Sequence, residues 1–170
     1  MLLALVLGLL IPAAAFGQLR LVPMKYSKVK LQLGTRSTTV DLDTEMDGSY
    51  GTMPGNPPHK FKVLFTATKG KFYYMVANVR SRSPISDKNA PCGGDAPQSV
   101  LWIKIDKKLK QPKLQSEVYE SCSFNFYDSK VKRTKSTLVI DFGGSEKRRI
   151  TYNNGRPEKG LEVIKLSTNN

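Results

Sequence analysis

The chain has 170 residues, 27 of them Lys or Arg and 14 Asp or Glu, for a formal net charge of +13, with one histidine and two cysteines. One histidine and two cysteines are too few for a four-ligand structural zinc site, and this length suits one domain whose core can stand without metal or several disulfides. A charge so far from zero favours anionic partners: lipopolysaccharide, teichoic acid, anionic lipid or nucleic acid.

The first element is apolar. Met1 to Leu19 carry no charged side chain, and the run LLALVLGLLI is followed by Pro12 and the small residues Ala13, Ala14 and Ala15. That is the apolar stretch and small-residue ending of a secretory signal, with cleavage expected after Gly17 and Gln18 as the new terminus. The competing reading is an uncleaved anchor, because the run is near the minimum for spanning a bilayer; Pro12 and the alanines weigh against it. The expected organisation is therefore a signal peptide over 1–17 and one β-rich domain over 18–170, periplasmic or secreted. No stable membrane span is expected after signal removal. In an oxidising compartment an even cysteine count points to a bridge, so Cys92 and Cys122 are read as a structural disulfide.

Downstream, apolar and polar residues alternate over five to eight positions and then break at Gly, Pro, Asn or Asp, which is a strand signal. The predicted strands are Tyr26 to Gly34, Thr39 to Met46, Phe61 to Thr68, Phe72 to Arg80, Ser99 to Asp106, Leu114 to Cys122, Thr137 to Phe142, Arg149 to Asn153 and Leu161 to Leu166. Long amphipathic helical periods are absent. Short connections at Lys69-Gly70, Gly143 to Lys147 and Asn154-Gly155 favour sequential antiparallel pairing. The predicted fold is all-β, an antiparallel meander of about nine strands closed as a barrel or folded as a sandwich, with little helix. The proline-rich stretches Asp47 to His59 and Ser81 to Gln98 read as loops within one domain.

The stretch VDLDTEMDG places Asp41, Asp43, Glu45 and Asp47 on one face of a strand, alternating with Val40, Leu42, Thr44 and Met46. The preceding strand alternates Lys28, Lys30 and Gln32 with Val29, Leu31 and Leu33. A hairpin with Thr35 to Thr38 as its loop sets Lys30 opposite Asp43, Lys28 opposite Glu45 and Leu31 opposite Leu42, each pair contributing roughly 0.2–1 kcal/mol. A calcium loop starting at Asp43 is the rival, but position three is Glu and position twelve is Pro54, which cannot supply the bidentate carboxylate. A glycosidase pair is the third reading, and nothing sets two carboxylates across a cleft.

No catalytic constellation emerges. His59 stands alone between Pro58 and Lys60, no Gly-x-Ser-x-Gly motif occurs, and no glycine-rich phosphate loop precedes a helix; Cys92-Gly93-Gly94-Asp95 reads as turn chemistry. A Ser-Lys dyad stays open on composition alone. No catalytic residue, metal or cofactor is assigned. The denser basic runs are Lys104 to Lys113, Lys130 to Lys135 and Lys147 to Arg149, and the residues assigned to an anionic partner are Lys132, Arg133, Arg148 and Arg149. Lysines on solvated strand faces also serve solubility and edge protection. Aromatics near bases, in Lys71-Phe72-Tyr73-Tyr74 and Phe124-Asn125-Phe126-Tyr127, would suit base stacking, but alternation sends half of the first cluster into a core, and export disfavours nucleic acid.

At CGGD…SVLWIKID…QSEVYESC, Cys92 to Cys122, and TLVIDF…ITYNNGRPEKGLEV, Thr137 to Val163, the chain resembles a group of exported bacterial β-rich proteins. They are marked by a Cys-Gly-rich turn, a hairpin ending in Tyr-Glu-Ser-Cys and a Pro-Glu-Lys-Gly segment. The resemblance covers less than half the chain, implies the Cys92–Cys122 pair, and carries no activity with it. The leading expectation is an exported non-catalytic β-domain that binds an anionic envelope component. The alternatives are an inhibitor or immunity-type partner of a secreted enzyme, and a hydrolase with an unrecognised dyad. The oligomeric state is left open.

Overall fold

The computed structural model describes residues 18–24, 28–42, 60–80, 97–121, 125–144 and 146–167. They form eleven strands in chain order: β1 (Arg20–Pro23), β2 (Lys28–Leu33), β3 (Arg36–Asp41), β4 (Lys60–Lys69), β5 (Phe72–Arg80), β6 (Gln98–Asp106), β7 (Lys113–Glu120), β8 (Tyr127–Arg133), β9 (Thr137–Gly143), β10 (Arg148–Asn153) and β11 (Glu162–Lys165). One 3₁₀ turn, Pro157–Lys159, precedes β11. All pairings are antiparallel and sequential, within three sheets: β1-β2-β3, β4-β5-β6-β7 and β11-β10-β9-β8. The all-β, antiparallel expectation holds, but the hydrogen-bonded meander is divided into three and among the described residues no sheet closes into a barrel.

Burial explains the division. In β5, Tyr73, Tyr74, Met75, Val76 and Ala77 are all buried, and in β6 so are Ser99, Val100, Leu101, Trp102 and Ile103. A strand buried on both faces loses the alternation of a half-wet strand and reads as a continuous apolar run. One face of β5 and β6 supplies Tyr73, Met75, Leu101 and Ile103 to a core shared with Val29, Leu31 and Val40 of the first sheet. The other supplies Tyr74, Val76, Val100 and Trp102 to a second core with Leu138, Ile140, Phe142, Ile150 and Tyr152. The central sheet thus lies between two cores, and each fully buried Leu, Ile or Val contributes roughly 1.5–3 kcal/mol. Both halves of the Phe72-Tyr73-Tyr74 cluster are therefore structural, not only one.

The predicted register of the first hairpin is corrected. Lys28 pairs with Asp41, Val29 with Val40 and Lys30 with Thr39, so each β2 position meets a partner four residues earlier than expected. Gly34 adopts φ +58°, which makes a tight turn at Gly34-Thr35 in place of a loop over Thr35 to Thr38. Turn length sets hairpin register, and an even shift leaves every side chain on its predicted face. Asp43, Glu45 and Asp47 lie outside the described residues, as do His59, Cys92, Cys122 and nearly all of both proline-rich stretches.

The third sheet is tied to the central one by polar contacts. Trp102 Nε1 donates to the Pro157 carbonyl at 3.0 Å, in a buried position. Gln115 grips the Leu161 backbone twice, its Nε2 donating to the carbonyl at 2.8 Å and its Oε1 accepting the amide at 2.9 Å. Within the central sheet, Tyr119 of β7 donates to Asn78 Oδ1 of β5 at 2.9 Å, with Gln98 Oε1 of β6 at 3.1 Å. Burial pushes the Tyr119 phenol up to about 12, with Glu120 adding to it while the Asn78 bond lowers it; burial does the same at Tyr152, aided by Glu158. A raised phenol pKa favours the neutral folded form, so this stability is complete below pH ~10 and is lost as the pH climbs toward 12, because the unfolded chain releases these protons first. The expected loss is about 1–2 kcal/mol per tyrosine after allowance for solvent screening. Urea titrations at pH 9 and 11.5 should show it in the native chain and much less in Tyr119→Phe/Tyr152→Phe; equal slopes in both would remove the cause.

Candidate functional site

The four residues assigned from sequence sit on the third sheet, two on β8 and two on β10 with β9 between them. Arg149 closes a two-pronged ion pair with Asp141, Nε to Oδ1 at 2.5 Å and Nη2 to Oδ2 at 2.9 Å, which holds the Asp141 carboxyl below the usual range. Arg148 pairs with Glu146 at 3.1 Å and lies 5.4 Å from the Phe126 ring centre. Arg133 donates to the Leu64 carbonyl and lies 5.0 Å from the Phe65 ring centre. Lys132 is exposed and has no ion pair among the described residues. Three of the four are thus engaged with the fold, and β9 lies between the two pairs.

The structure instead gathers lysines at one end of the central sheet. The β4–β5 turn and the β6–β7 loop lie side by side, with the Lys107 amide donating to the Lys71 carbonyl at 3.1 Å. Between them opens a cleft of about 690 Å³ lined by Lys71, Lys104, Lys107, Lys108, Lys110 and Lys113, with Phe72, Asp106, Gln111 and Pro112. Its only carboxylate is committed to the backbone: Asp106 Oδ1 accepts the amides of Lys108 at 3.0 Å and Lys110 at 2.8 Å. This is an aspartate-braced turn. It sets two lysines on a fixed backbone while leaving their ammonium groups in solvent.

The rest of the loop is held as firmly. Leu109 adopts φ +58° and Gln111 φ +48°, a region that non-glycine residues seldom occupy. Leu109 takes this conformation while its side chain plugs into the first core, 5% exposed. The loop is anchored from below and basic above. Phe72 forms part of the cleft wall, with Lys104 Nζ 4.3 Å and Lys71 Nζ 5.5 Å from its ring centre. These cation–π contacts position two ammonium groups without neutralising them.

Six lysines line one cleft against a single carboxylate, Asp106, so like charges outnumber their counter-charge there and repel one another. A concave surface of one sign focuses its field and concentrates anions. The signal was present in the sequence as the run Lys104 to Lys113; what periodicity could not supply was Lys71, brought in by strand pairing 33 residues before Lys104.

Among the described residues no group of three or more His, Cys, Asp and Glu side chains is placed to hold a metal ion, and no helix is long and apolar enough to cross a membrane. The register pairs Gln98, the first residue of β6, with Glu120, the last of β7. Comparison with family models, curated proteins and solved structures gives no match.

Proposed function

We propose that the chain is an exported, non-catalytic β-domain that binds an anionic polymer of the cell envelope through the lysine cleft between the β4–β5 turn and the β6–β7 loop. The observation that carries this reading is the concentration of six lysines around one cleft whose single carboxylate is occupied by backbone amides. All six cations are lysines. Lysine is a compact, mobile point charge, whereas arginine's planar fork suits bidentate recognition of one carboxylate or phosphate. A set of lysines therefore fits repeated oxyanions on a flexible chain better than one rigid ligand.

Binding of this kind depends steeply on salt, because each neutralised anion releases a condensed counterion. The full chain should be retained on immobilised lipopolysaccharide or teichoic acid at ~50 mM salt and should elute well before ~500 mM, where the screening length falls below ~5 Å. An affinity that fell about a thousandfold between ~50 and ~200 mM would match six neutralised charges. Elution from every anionic surface at the lowest salt rejects the proposal. Tight, salt-insensitive capture by one secreted enzyme would instead favour the inhibitor reading, in which a few anchors dominate.

A further inference from the structure

A second cleft, of about 510 Å³, adjoins the first and has a different chemistry. It lies between the start of the described chain and the β4–β5 hairpin, lined by Gln18, Thr66, Thr68, Tyr73 and Lys107 among others. Register places Thr68 opposite Tyr73 and Thr66 opposite Met75, so Thr66, Thr68 and Tyr73 share one face of that hairpin. Lys107 lines both clefts and is the only charged residue lining this one. Apart from Lys107 the cleft offers the Thr66 and Thr68 hydroxyls and the Gln18 amide beside Leu19, Ala67, Tyr73 and Tyr74, and one step along the surface the lining becomes lysine.

Hydroxyl and amide side chains suit the hydroxyls of a polyol or sugar, because each such group can donate and accept in turn. Lysines suit phosphate. We propose, building on the anion-binding reading, that the two clefts hold one ligand: a chain in which phosphates alternate with polyhydroxylated units, the phosphates on the lysines and a polyol or sugar unit against Gln18, Thr66 and Thr68. Nucleic acid also alternates phosphate with sugar, but it needs open aromatic platforms for its bases. Phe72, the aromatic ring of the lysine cleft, is already covered by Lys104 and Lys71, and Tyr73 is packed into the first core.

The test compares poly(glycerol phosphate), inorganic polyphosphate, dextran and single-stranded DNA, the charged probes matched in phosphate number, on the full chain. Poly(glycerol phosphate) should bind about tenfold more tightly than polyphosphate, the worth of one to two net hydrogen bonds. Dextran should not bind. Thr66→Val/Thr68→Val should erase the preference while leaving polyphosphate affinity unchanged, which also certifies that the variant is folded; Thr68→Ser should keep the preference. Equal affinity for the two phosphate polymers, a Val variant that weakens both alike, or a preference for DNA overturns the two-cleft ligand and leaves the lysine cleft standing. Failure of both phosphate polymers to bind removes the anion-binding reading itself.

Discussion

Replacing Lys108 and Lys110 together by Glu is expected to lower affinity for an anionic polymer by about a hundredfold or more, with the melting temperature nearly unchanged. Two favourable charges are removed and two repulsive ones take their place, on a loop whose backbone is braced at those very residues. Like-charge juxtaposition alone costs several kcal/mol in a binding site. Two fewer neutralised anions should also flatten the salt slope by roughly 1.4 to 1.8 logarithmic units per tenfold change in salt. Stability should hold because both side chains are exposed and neither takes part in an ion pair among the described residues. Lys132→Glu/Arg149→Glu is the comparison. It makes the same change of charge on the third sheet, where Arg149 is paired with Asp141, and should cost stability while lowering affinity far less. Equal losses of affinity in the two variants would show that net charge, not the cleft, governs binding.

The contrast between these pairs marks what the sequence could and could not convey about the site. A run of lysines is visible in the chain, but whether each charge is spent inside the fold is decided by partners far away. Arg133 is engaged by Leu64, 69 residues earlier. Arg149 meets Asp141 only because the β9–β10 register sets them opposite each other. Lys104 to Lys113 was legible as a basic run, yet its distinction rests on Asp106 being turned toward the backbone and on Leu109 holding the loop down. Neither follows from composition.

Strand existence was more legible than layering. β5 begins and ends where the bounding turn residues place it, at Phe72–Arg80, and β9 shows clean period-two burial at Leu138, Ile140 and Phe142. Two strands had no readable signal. β1 is four residues long and ends in Pro23, and β8, Tyr-Asp-Ser-Lys-Val-Lys-Arg, is exposed almost throughout because it is the edge of its sheet. Edge strands rich in lysine resist aggregation and, by the same token, lack a hydrophobic period. The three-sheet arrangement was written in the continuous apolar runs of β5 and β6, which a half-wet meander would not carry.

Gly144→Ala is expected to destabilise the chain by about 3 kcal/mol, at the upper end of what overpacking costs. Gly144 lies just past β9, where its backbone meets the corner at which the chain passes from β7 to β8. A Cβ added there would stand 1.7 Å from the Asn125 carbonyl oxygen and 2.9 Å from its carbon. Both atoms are backbone, so no side-chain rotation relieves the clash, and the corner itself must move. That corner is held by reciprocal hydrogen bonds between Ser121 and Phe126, at 3.0 and 2.9 Å. Phe126 in turn packs edge-on against Phe142, with ring centres 5.2 Å apart. Moving Asn125 therefore disturbs the bridge and the aromatic contact together, and the loss should exceed the steric cost of one methyl group. Gly155→Ala is the control, since its added Cβ meets only the Asn153 side-chain oxygen, at 3.1 Å, which can give way. Urea denaturation of the two variants should separate them by at least ~2 kcal/mol, with Gly155→Ala close to the native chain. A Gly144→Ala variant as stable as the native chain would mean that the β7–β8 corner does not rest against this glycine in solution.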